Sequence, residues 1–357
     1  MEEISVDLVI IGSGPAGQKA AIQGAKLGKK VIVIEKLQEP GGNCLYSGTI
    51  PSKSLREAII DLTRFNERSF YGHEYELKDI SISQLYNRLH KVIEEERNMV
   101  FRQFKKNGIR LIHGNARFEN SHTLTVVDRD FRMICQIRSE YIIIATGSKP
   151  RNPINVPFDR EVILDSTRLL GIECVPKTMV VLGGGIIGSE YASFFAALGT
   201  EVTVIDKREH ILPLLDSEIG IILQTALTDL GLKFLGRKEP ERIERIDNKA
   251  KVIFKDGSQI ESDVLLYALG RTANVDALHI ENAGIEVNEK GYIPVNALFQ
   301  TNISHIYAVG DVIGGPSLAS TSMEQGRLAT RHAFGEQTAL FPNYYPIGIY
   351  TVPEISS

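Results

Sequence analysis

The 357-residue sequence predicts an α/β protein with two parallel-sheet domains, the second inserted into the first. The main observation is an internal repeat: the stretch that begins at Gly12 returns without a gap 171 residues later, at Gly183. An apolar strand (6–11 and 178–182) leads into each copy, and each copy contains a glycine turn and a helix. Both end on a carboxylate 23 positions after the first glycine, Glu35 and Asp206. Each domain also closes on an apolar strand followed by Ala-x-Gly, so the chain leaves both in the same way.

The two glycine turns are typical of Rossmann-like, dinucleotide-binding domains. The glycines allow a tight turn and bring N–H groups at a helix N-terminus close to a pyrophosphate, while the acid accepts hydrogen bonds from a ribose diol. A single such turn is often only the start of a helix, whereas two in full context favour dinucleotide binding. The turn residues assigned to binding are Gly12, Gly14, Pro15, Ala16 and Gly17 in the first domain and Gly183, Gly185, Ile186, Ile187 and Gly188 in the second.

The composition excludes several classes of protein. With 43% apolar and 24% charged residues the chain is ordinary globular material, and a net charge of −4 gives no basic surface for nucleic acid or an anionic membrane. The acidic N-terminus is not a signal peptide, and no apolar stretch reaches membrane-spanning length. Three scattered cysteines offer no disulfide framework, which favours a reducing cytoplasm. Cys135 and Cys174 are expected to be packing residues, and no metal site is predicted.

The repeat also sets the expected domain boundaries. Residues 1–150 and 271–343 form the first, discontinuous domain, and residues 151–270 form the inserted one. Other helices are predicted from Pro51 to about Arg68, from Ser83 to about Lys106, and from Ser317–Ala319 to about Phe334. Residues 344–357 look like the opening strand of a further element, so we expect the sequence to be cut off there.

Further motifs give the chain a family resemblance. The first glycine turn is followed by Gly41-Gly42-Asn43-Cys44, Pro51-Ser52-Lys53, Ala145-Thr146-Gly147, the second turn and Ala308-Val309-Gly310-Asp311. In this order and spacing the chain resembles the flavin-dependent pyridine nucleotide–disulfide oxidoreductases over nearly its whole length. The resemblance implies a glutathione-reductase-like fold with FAD in the first domain and NAD(H) or NADP(H) in the inserted domain. It also implies a C-terminal interface domain that forms a homodimer, of which residues 344–357 are the start.

One position departs from that family. Its redox motif has two cysteines five positions apart at the flavin, whereas here Cys44 is followed at the second position by Thr49. A threonine hydroxyl cannot form a disulfide, so hydride on the flavin is expected to leave to a second nicotinamide nucleotide. The chain looks most like the soluble pyridine nucleotide transhydrogenases of the family. That resemblance implies ping-pong hydride exchange between NADPH and NAD through bound FAD.

The resemblance also assigns roles to single residues. Lys53, Glu190 and Cys44 are the expected catalytic residues, and Lys53 and Glu190 are expected to form an ion pair that stabilises negative charge on the flavin. The other expected cofactor-binding residues are Glu35, Lys36, Gly42, Asn43, Thr49, Ala116, Thr146, Gly147, Arg271, Gly310, Asp311, Ala319, Asp206, Lys207 and Gly270. Three alternatives stay open. Ile186 covers the nicotinamide pocket or only packs its helix, Arg271 reaches the flavin or only solvent, and Cys44 is a structural sulfur or a reactive thiol.

The nucleotide preference is mixed in the sequence. Asp206 favours the bare ribose diol of NAD and repels a 2′-phosphate. Lys207, Arg208 and His210 follow it and could supply the cations that NADP needs. Use of both nucleotides is expected of a transhydrogenase, and strict use of NAD remains open.

Two other functions remain open at this point. The first is an NAD(P)H-dependent flavin reductase, or diaphorase, that acts on quinones or other acceptors and shares every motif above. The second is a non-catalytic, redox-sensing flavoprotein that uses Cys44, against which the intact Lys53, Glu190 and both turns argue. Without the rest of the interface domain, this chain is expected to be less stable than the intact protein and could lack bound FAD.

Overall fold

The structure is a computed structural model that describes residues 3–67, 82–342 and 344–357. Its contacts divide the chain into two compact units. The first comprises Met1–Thr49, Ile93–Lys149 and Arg271–Tyr345, and the second comprises Ile50–Val92, Pro150–Gly270 and Pro346–Ser357. The described residues between 50 and 92 therefore lie with the second unit, although the sequence repeat groups this segment with the first domain. Which nucleotide each domain binds stays a prediction.

Helices and strands alternate around the two glycine turns, and strands follow one another over long stretches between them. The helices are α1 (Pro15–Lys26), α2 (Gly42–Tyr46), α3 (Thr49–Glu67), α4 (Ile82–Lys106), α5 (Ile186–Ala197), α6 (Ser217–Asp229) and α7 (Ala319–Ala333), with short 3₁₀ segments at Arg168–Gly171, Ile280–Ala283 and Gly310–Ile313. The strands are β1 (Glu3–Ile11), β2 (Val31–Glu35), β3 (Arg110–His113), β4 (Asn115–Asn120), β5 (Thr123–Val127), β6 (Met133–Ile144), β7 (Ser148–Pro150), β8 (Ile163–Asp165), β9 (Thr178–Leu182), β10 (Glu201–Ile205), β11 (Lys233–Leu235), β12 (Pro240–Ile246), β13 (Lys249–Phe254), β14 (Gln259–Ser262), β15 (Val264–Tyr267), β16 (Arg271–Ala273), β17 (Ile306–Ala308), β18 (Gly348–Ile349) and β19 (Ile355–Ser356).

The first unit is built on a sheet in the order β3-β2-β1-β6-β5-β4, with β17 also paired to β6. β1, β2, β3, β6 and β17 run parallel, and β4 and β5 add an antiparallel extension. Neighbouring residues of β1, such as Leu8 and Val9, are fully buried in separate apolar clusters, so both faces of this sheet are covered. The carboxyl ends of the parallel strands meet at one edge, where ligands bind in such sheets.

The second unit repeats this plan with a parallel sheet in the order β11-β10-β9-β15-β8. Its largest core cluster combines α5, which is buried along almost its whole length, with Leu55 and Ile59 of α3. An antiparallel sheet β12-β13-β14 and a short pair β18-β19 complete this unit. β7 pairs with β16 in a separate two-stranded sheet.

In both units a glycine turn presses the helix against the end of the central strand. A Cβ added to Gly17 would lie 1.9 Å from the carbonyl O of Gly12, and one added to Gly188 would lie 1.9 Å from the carbonyl O of Gly183. Gly12 and Gly183 have φ of +103° and +109°, which side-chain-bearing residues rarely adopt. Glycine is therefore required at these four positions for the strand, turn and helix to close.

The observed elements differ from the predicted ones mainly at their ends. β1 begins at Glu3, three residues earlier than predicted. α3 begins at Thr49, which places Pro51 in its first turn, where the missing N–H breaks no helical hydrogen bond. The predicted end of this helix at Arg68 lies outside the described residues. None of the helices in the described part of the chain combines the length and apolar character needed to span a bilayer.

The close approach of Gly17 to the Gly12 carbonyl can be tested by mutation. Replacing Gly17 with Ala should lower the free energy of unfolding by about 2–3 kcal/mol, because the new methyl group must push two backbone segments apart. The measurement is urea unfolding followed by circular dichroism. Gly171→Ala is the matched control, because a Cβ there meets nothing within 4 Å. Equal stability of the Gly17 and Gly171 variants would contradict this account of the turn.

Candidate dinucleotide sites and the buried ion pair

The glycine turn of the first unit is tied to the acid at the end of β2. Glu35 is buried and accepts hydrogen bonds at Oε2 from the Ser13 backbone N–H (2.9 Å) and from the Ser13 hydroxyl (2.6 Å). Its Oε1 accepts one from the Leu37 N–H at 3.0 Å. The carboxylate therefore holds the turn, and Oε1 keeps capacity to accept a further hydrogen bond, as a ribose hydroxyl would donate.

The middle glycine of this turn leaves room for a ligand. A Cβ added to Gly14 would meet nothing within 4 Å, in contrast to the crowded positions at Gly12 and Gly17. Gly14 is also the N-cap of α1, and it offers no side chain to bond the first N–H groups of that helix. An open space in front of unpaired N–H groups is suited to a phosphate. The residues present thus fit a dinucleotide pyrophosphate.

The segment around α2 packs on the same turn. A Cβ on Gly42 would lie 2.8 Å from the Cα of Gly14, so only glycine allows this approach. The Gly41 N–H donates to the Ser13 hydroxyl at 3.0 Å, and the Asn43 side-chain amide donates to the carbonyl O of Ser148. The predicted residues Gly42 and Asn43 are therefore positioned beside the first turn.

Ser148 brings two of the predicted residues together. The Arg271 guanidinium donates to the Ser148 hydroxyl (2.8 Å) and to its carbonyl O (2.9 Å). The Ser148 hydroxyl in turn donates to Asp311 Oδ2 at 2.7 Å. Arg271 is half-buried, so the alternative of a purely surface arginine does not fit the structure. Its contact with a flavin stays a prediction.

The helix that follows Asp311 offers a second uncapped N-terminus. α7 begins at Ala319 as predicted, and its N-cap residue Leu318 makes no side-chain capping bond. Gly310 has φ of +77°, and its N–H donates to the buried Gln325 of α7 at 2.7 Å. This bond fixes the turn at Gly310 against α7, whose first N–H groups can face an electron-rich ligand atom.

The remaining predicted residues of the first unit differ in their surroundings. Thr146 Oγ1 is buried and has no hydrogen-bond partner within the described chain, which suits a polar ligand atom. The carbonyl groups of Thr146 and Gly147 accept from Asn274 at 3.0 and 2.9 Å. Ala116 is buried in the core, so only its backbone can contact a cofactor, and Lys36 is exposed.

The second glycine turn repeats the first with a different partner. The Gly184 N–H donates to Asp206 Oδ2 at 2.7 Å, and a Cβ on Gly185 would again meet nothing within 4 Å. The Arg208 guanidinium donates to Asp206 Oδ1 at 2.8 Å. Burial opposes the charge of Asp206, but the hydrogen bonds from Arg208 and Gly184 outweigh it and hold the pKa of this carboxyl below its ordinary value. Lys207 is exposed beside this pair.

Ile186 and Ile187 form the first turn of α5. Both are half-buried and pack against the core of the second unit, which fits the packing alternative for Ile186. Gly188 lies against Gly183 as described above. Gly270 has φ of +108°, and its carbonyl accepts from the Arg151 N–H at 3.1 Å where the chain enters and leaves this unit.

The predicted ion pair of the second unit is present. Lys53 Nζ lies 2.7 Å from Glu190 Oε1, and the side chain of Glu190 is 5% exposed against 28% for Lys53. Glu190 Oε1 also accepts a hydrogen bond from the Tyr350 N–H at 2.9 Å. The Lys53 ammonium lies 4.7 Å from the centre of the Tyr350 ring. α3, α5 and the segment before β19 thus meet at one charged cluster.

The burial of the three cysteines agrees with the prediction except at Cys174. None of the three forms a disulfide. Cys44 is half-buried and Cys135 is buried, as a packing residue should be, but Cys174 is exposed. The prediction that Cys174 is a packing residue is therefore wrong, because it lies in an exposed loop between a 3₁₀ segment and β9. Thr49 is exposed at the start of α3.

Four residues of these sites were missed in the sequence. Ser13 lies within a glycine motif and Ser148 directly follows one. A hydroxyl group at such a position is a sequence feature from which their roles could have been predicted. Gln325 gave none, since it lies 15 residues from the glycine that it bonds. Tyr350 is 160 residues from Glu190 in the sequence, and its contact uses the backbone.

A cleft of about 600 Å³ lies elsewhere in the first unit. It is lined by Lys29, Tyr141, Tyr307 and His332, among other residues, and none of the predicted site residues borders it. Burial raises the pKa of Tyr307 to about 12, and its hydroxyl is 2.8 Å from Nδ1 of His332. No residue of either glycine turn is among those that line this cleft.

The chain is similar to named proteins over most of its length. A soluble pyridine nucleotide transhydrogenase of Mycobacterium tuberculosis is 47% identical over 351 residues, which are 98% of this chain and 75% of that protein. A protein of the same name from Chromohalobacter salexigens is 41% identical with the same coverage. Both relatives thus extend beyond the matched segment.

Solved structures give the same fold. The HOCl-induced flavoprotein disulfide reductase RclA from Escherichia coli superposes with a TM-score of 0.85 at 31% identity, over 98% of this chain and 76% of that one. LpdA from Mycobacterium tuberculosis superposes with a TM-score of 0.90 at 26% identity, over 98% and 78%. The predicted fold class, two Rossmann-like domains in one α/β chain, is confirmed. Since residues 6–326 also match the family described as pyridine nucleotide-disulphide oxidoreductase, the chain belongs to that family.

Proposed function

We propose that this protein is an FAD-dependent transhydrogenase that passes hydride between NADPH and NAD. The observation that carries the proposal is Thr49, which stands five positions after Cys44 in place of a second redox sulfur. With no dithiol at that position, a nicotinamide nucleotide is the simplest partner to which hydride can leave. The 47% identity to a relative named soluble pyridine nucleotide transhydrogenase supports the same conclusion.

The first unit is the proposed site of FAD, the cofactor of this family. Glu35 holds the adenosine ribose, the open turn at Gly14 takes the pyrophosphate, and Asp311 takes the ribityl region. The uncapped N-terminus of α7 stabilises charge at the pyrimidine end of the flavin. When bound, FAD supplies the hydride acceptance and donation that amino-acid side chains lack.

Lys53 and Glu190 are the proposed catalytic pair. Lys53 supplies positive charge where negative charge develops during hydride transfer. The buried Glu190 carboxylate fixes the ammonium in place and keeps a long, flexible side chain in one orientation. Cys44 is proposed to be a structural sulfur, because no other cysteine of this chain lies near it in sequence to act as a resolving thiol.

The second unit is the proposed site of the nicotinamide nucleotide. Asp206 accepts hydrogen bonds from the ribose diol of NAD, and Arg208 offers a cation to the 2′-phosphate of NADP. In the structure each of these groups satisfies the other, and the Arg208 side chain is 41% exposed. An exposed arginine can exchange a carboxylate for a phosphate, so one site can serve both nucleotides.

The likeness to RclA favours a different acceptor, since that protein is named a disulfide reductase. The chain is less similar to RclA than to the transhydrogenases, at 31% against 47% identity. Thr49 decides between them, because a threonine hydroxyl cannot take part in thiol–disulfide exchange. We also propose, from the family resemblance and the cysteine usage, that the protein is a cytoplasmic homodimer.

Steady-state assays test the proposed reaction. Purified, FAD-loaded protein with NADPH should reduce thio-NAD, an NAD analogue with a distinct absorbance, at least about tenfold faster than it reduces oxidised glutathione, because a disulfide acceptor needs a thiol relay that this chain lacks. It should also reduce thio-NAD faster than a quinone, which takes electrons from the reduced flavin directly, and a faster quinone reaction would favour a diaphorase. Reduction of glutathione disulfide at a rate comparable to that of thio-NAD would sink the proposal. Protein freed of FAD is the control and should be inactive with every acceptor.

Arg208→Gln tests the assignment of the 2′-phosphate. The variant should raise the KM for NADPH by about tenfold or more, since a charge-assisted hydrogen bond to phosphate is worth about 1.5–3 kcal/mol. The KM for NADH should change by less than about twofold. Arg242→Gln on the exposed strand β12 is the matched control and should alter neither value. An equal loss with both nucleotides would count against this role.

The pH dependence of stability in Asp206→Asn tests whether the charge of Asp206 stabilises the second glycine turn. The pKa of Asp206 is lower in the folded protein than in the unfolded chain. The ionised carboxylate therefore stabilises the folded protein at pH values above the unfolded pKa of about 3.9, and this stabilisation is lost as the pH falls through the lower folded pKa. Urea unfolding at pH 7 should therefore show the variant to be less stable than the parent. The difference should shrink below about pH 4. A difference that stays constant from pH 7 to pH 3 would show that the charge of Asp206 does not act in this way.

A further inference from the structure

We propose that Tyr350 is a positioning residue that holds the Lys53 ammonium in place through the face of its ring. The inference rests on the proposed function for its purpose, which is to keep the charge of Lys53 where hydride transfer needs it. Tyr350 lies 297 positions after Lys53 and belongs to no glycine, cysteine or nucleotide motif. The geometry of the second unit carries the argument.

The Lys53 ammonium is held from two sides. Glu190 Oε1 lies 2.7 Å from Lys53 Nζ, and the centre of the Tyr350 ring lies 4.7 Å from the same atom. The face of an aromatic ring is electron-rich and attracts a cation at this distance. A lysine side chain has four rotatable bonds, so a carboxylate alone leaves its ammonium free to swing about one oxygen. The ring removes much of that freedom.

The Tyr350 backbone acts on the other member of the pair. Its N–H donates to Glu190 Oε1 at 2.9 Å, the same oxygen that contacts Lys53. This donor partly satisfies a carboxylate that is almost fully buried, so the orientation of Glu190 does not depend on Lys53 alone. One residue therefore fixes the carboxylate with its backbone and the ammonium with its ring.

Tyr350 can do this because its segment is anchored on both sides. Arg56 is buried in α3 and donates from Nε to the carbonyl O of Thr351 at 2.9 Å. The Val352 N–H donates to the Ser193 hydroxyl of α5 at 3.0 Å. Paired strands β18 and β19 close the segment before and after these contacts. The backbone on the C-terminal side of Tyr350 is thus bonded to the same two helices that carry Lys53 and Glu190.

Competitive acetylation tests the inference without reference to catalysis. FAD-loaded protein is labelled with trace acetic anhydride, and the labelling rate of Lys53 is compared by mass spectrometry with that of the exposed Lys249. Tyr350→Leu should raise the relative labelling of Lys53 about threefold to tenfold, because the cation–π contact that holds its ammonium is lost. Tyr350→Phe keeps the ring face and should restore the parent rate. Tyr344→Leu, which removes another exposed tyrosine, should leave the rate unchanged.

The same variants give a kinetic readout. Tyr350→Leu should slow anaerobic reduction of the flavin by NADPH about threefold to tenfold, with the Kd for NADPH unchanged within about twofold, because only the placement of a charge is altered. If the Leu variant does not fold, both measurements are made on Tyr350→Met, whose side chain fills a similar volume without a ring. Unchanged Lys53 labelling in the ring-less variants, or the same rise in Tyr350→Phe, overturns the inference. If labelling rises while the parent protein transfers no hydride to NAD, the positioning role stands and only the proposed function fails.

Discussion

The structure depends on two backbone contacts that only glycine permits. In each unit the helix after the central strand comes so close to the strand end that a methyl group at Gly17 or Gly188 would overlap a carbonyl oxygen. This closeness puts unpaired helix N–H groups at the carboxyl edge of the sheet, and the open space at Gly14 and Gly185 lies directly in front of them. Both proposed dinucleotide sites depend on that one constraint, because a wider turn would move the N–H groups away from a pyrophosphate.

The two turns are alike in backbone and differ in how their acid is held. Glu35 is held by a buried serine hydroxyl and by two backbone N–H groups, so none of its partners is an exposed side chain. Asp206 is fixed by one backbone N–H and by the guanidinium of Arg208, which is partly exposed. The first arrangement suits a cofactor that stays bound, and the second suits a nucleotide that is exchanged in each cycle. This contrast supports the proposal that FAD binds at the first turn and the substrates at the second.

The sequence predicted the repeated architecture because the constraints on glycine and on the strand-end acids are local. The Lys53–Glu190 pair was also predicted, although only through a family resemblance, since nothing in the spacing of the two residues indicates contact. Ser148 and Tyr350 were missed because their roles arise from tertiary contacts, 163 and 160 residues away, in which one partner is a backbone group or a hydroxyl. Cys174 was misplaced because burial of a lone cysteine depends on what covers its loop, which the sequence does not specify.

The central claim is that electrons taken from NADPH leave to a second nicotinamide nucleotide and not through a thiol. An anaerobic titration of the FAD-loaded protein, followed by visible absorbance, tests this most directly. A stoichiometric amount of NADPH should bleach the flavin absorbance, and NAD added afterwards should restore it with formation of an equal amount of NADH. Failure of NAD to restore the absorbance, together with full recovery on addition of a small disulfide, would contradict the account.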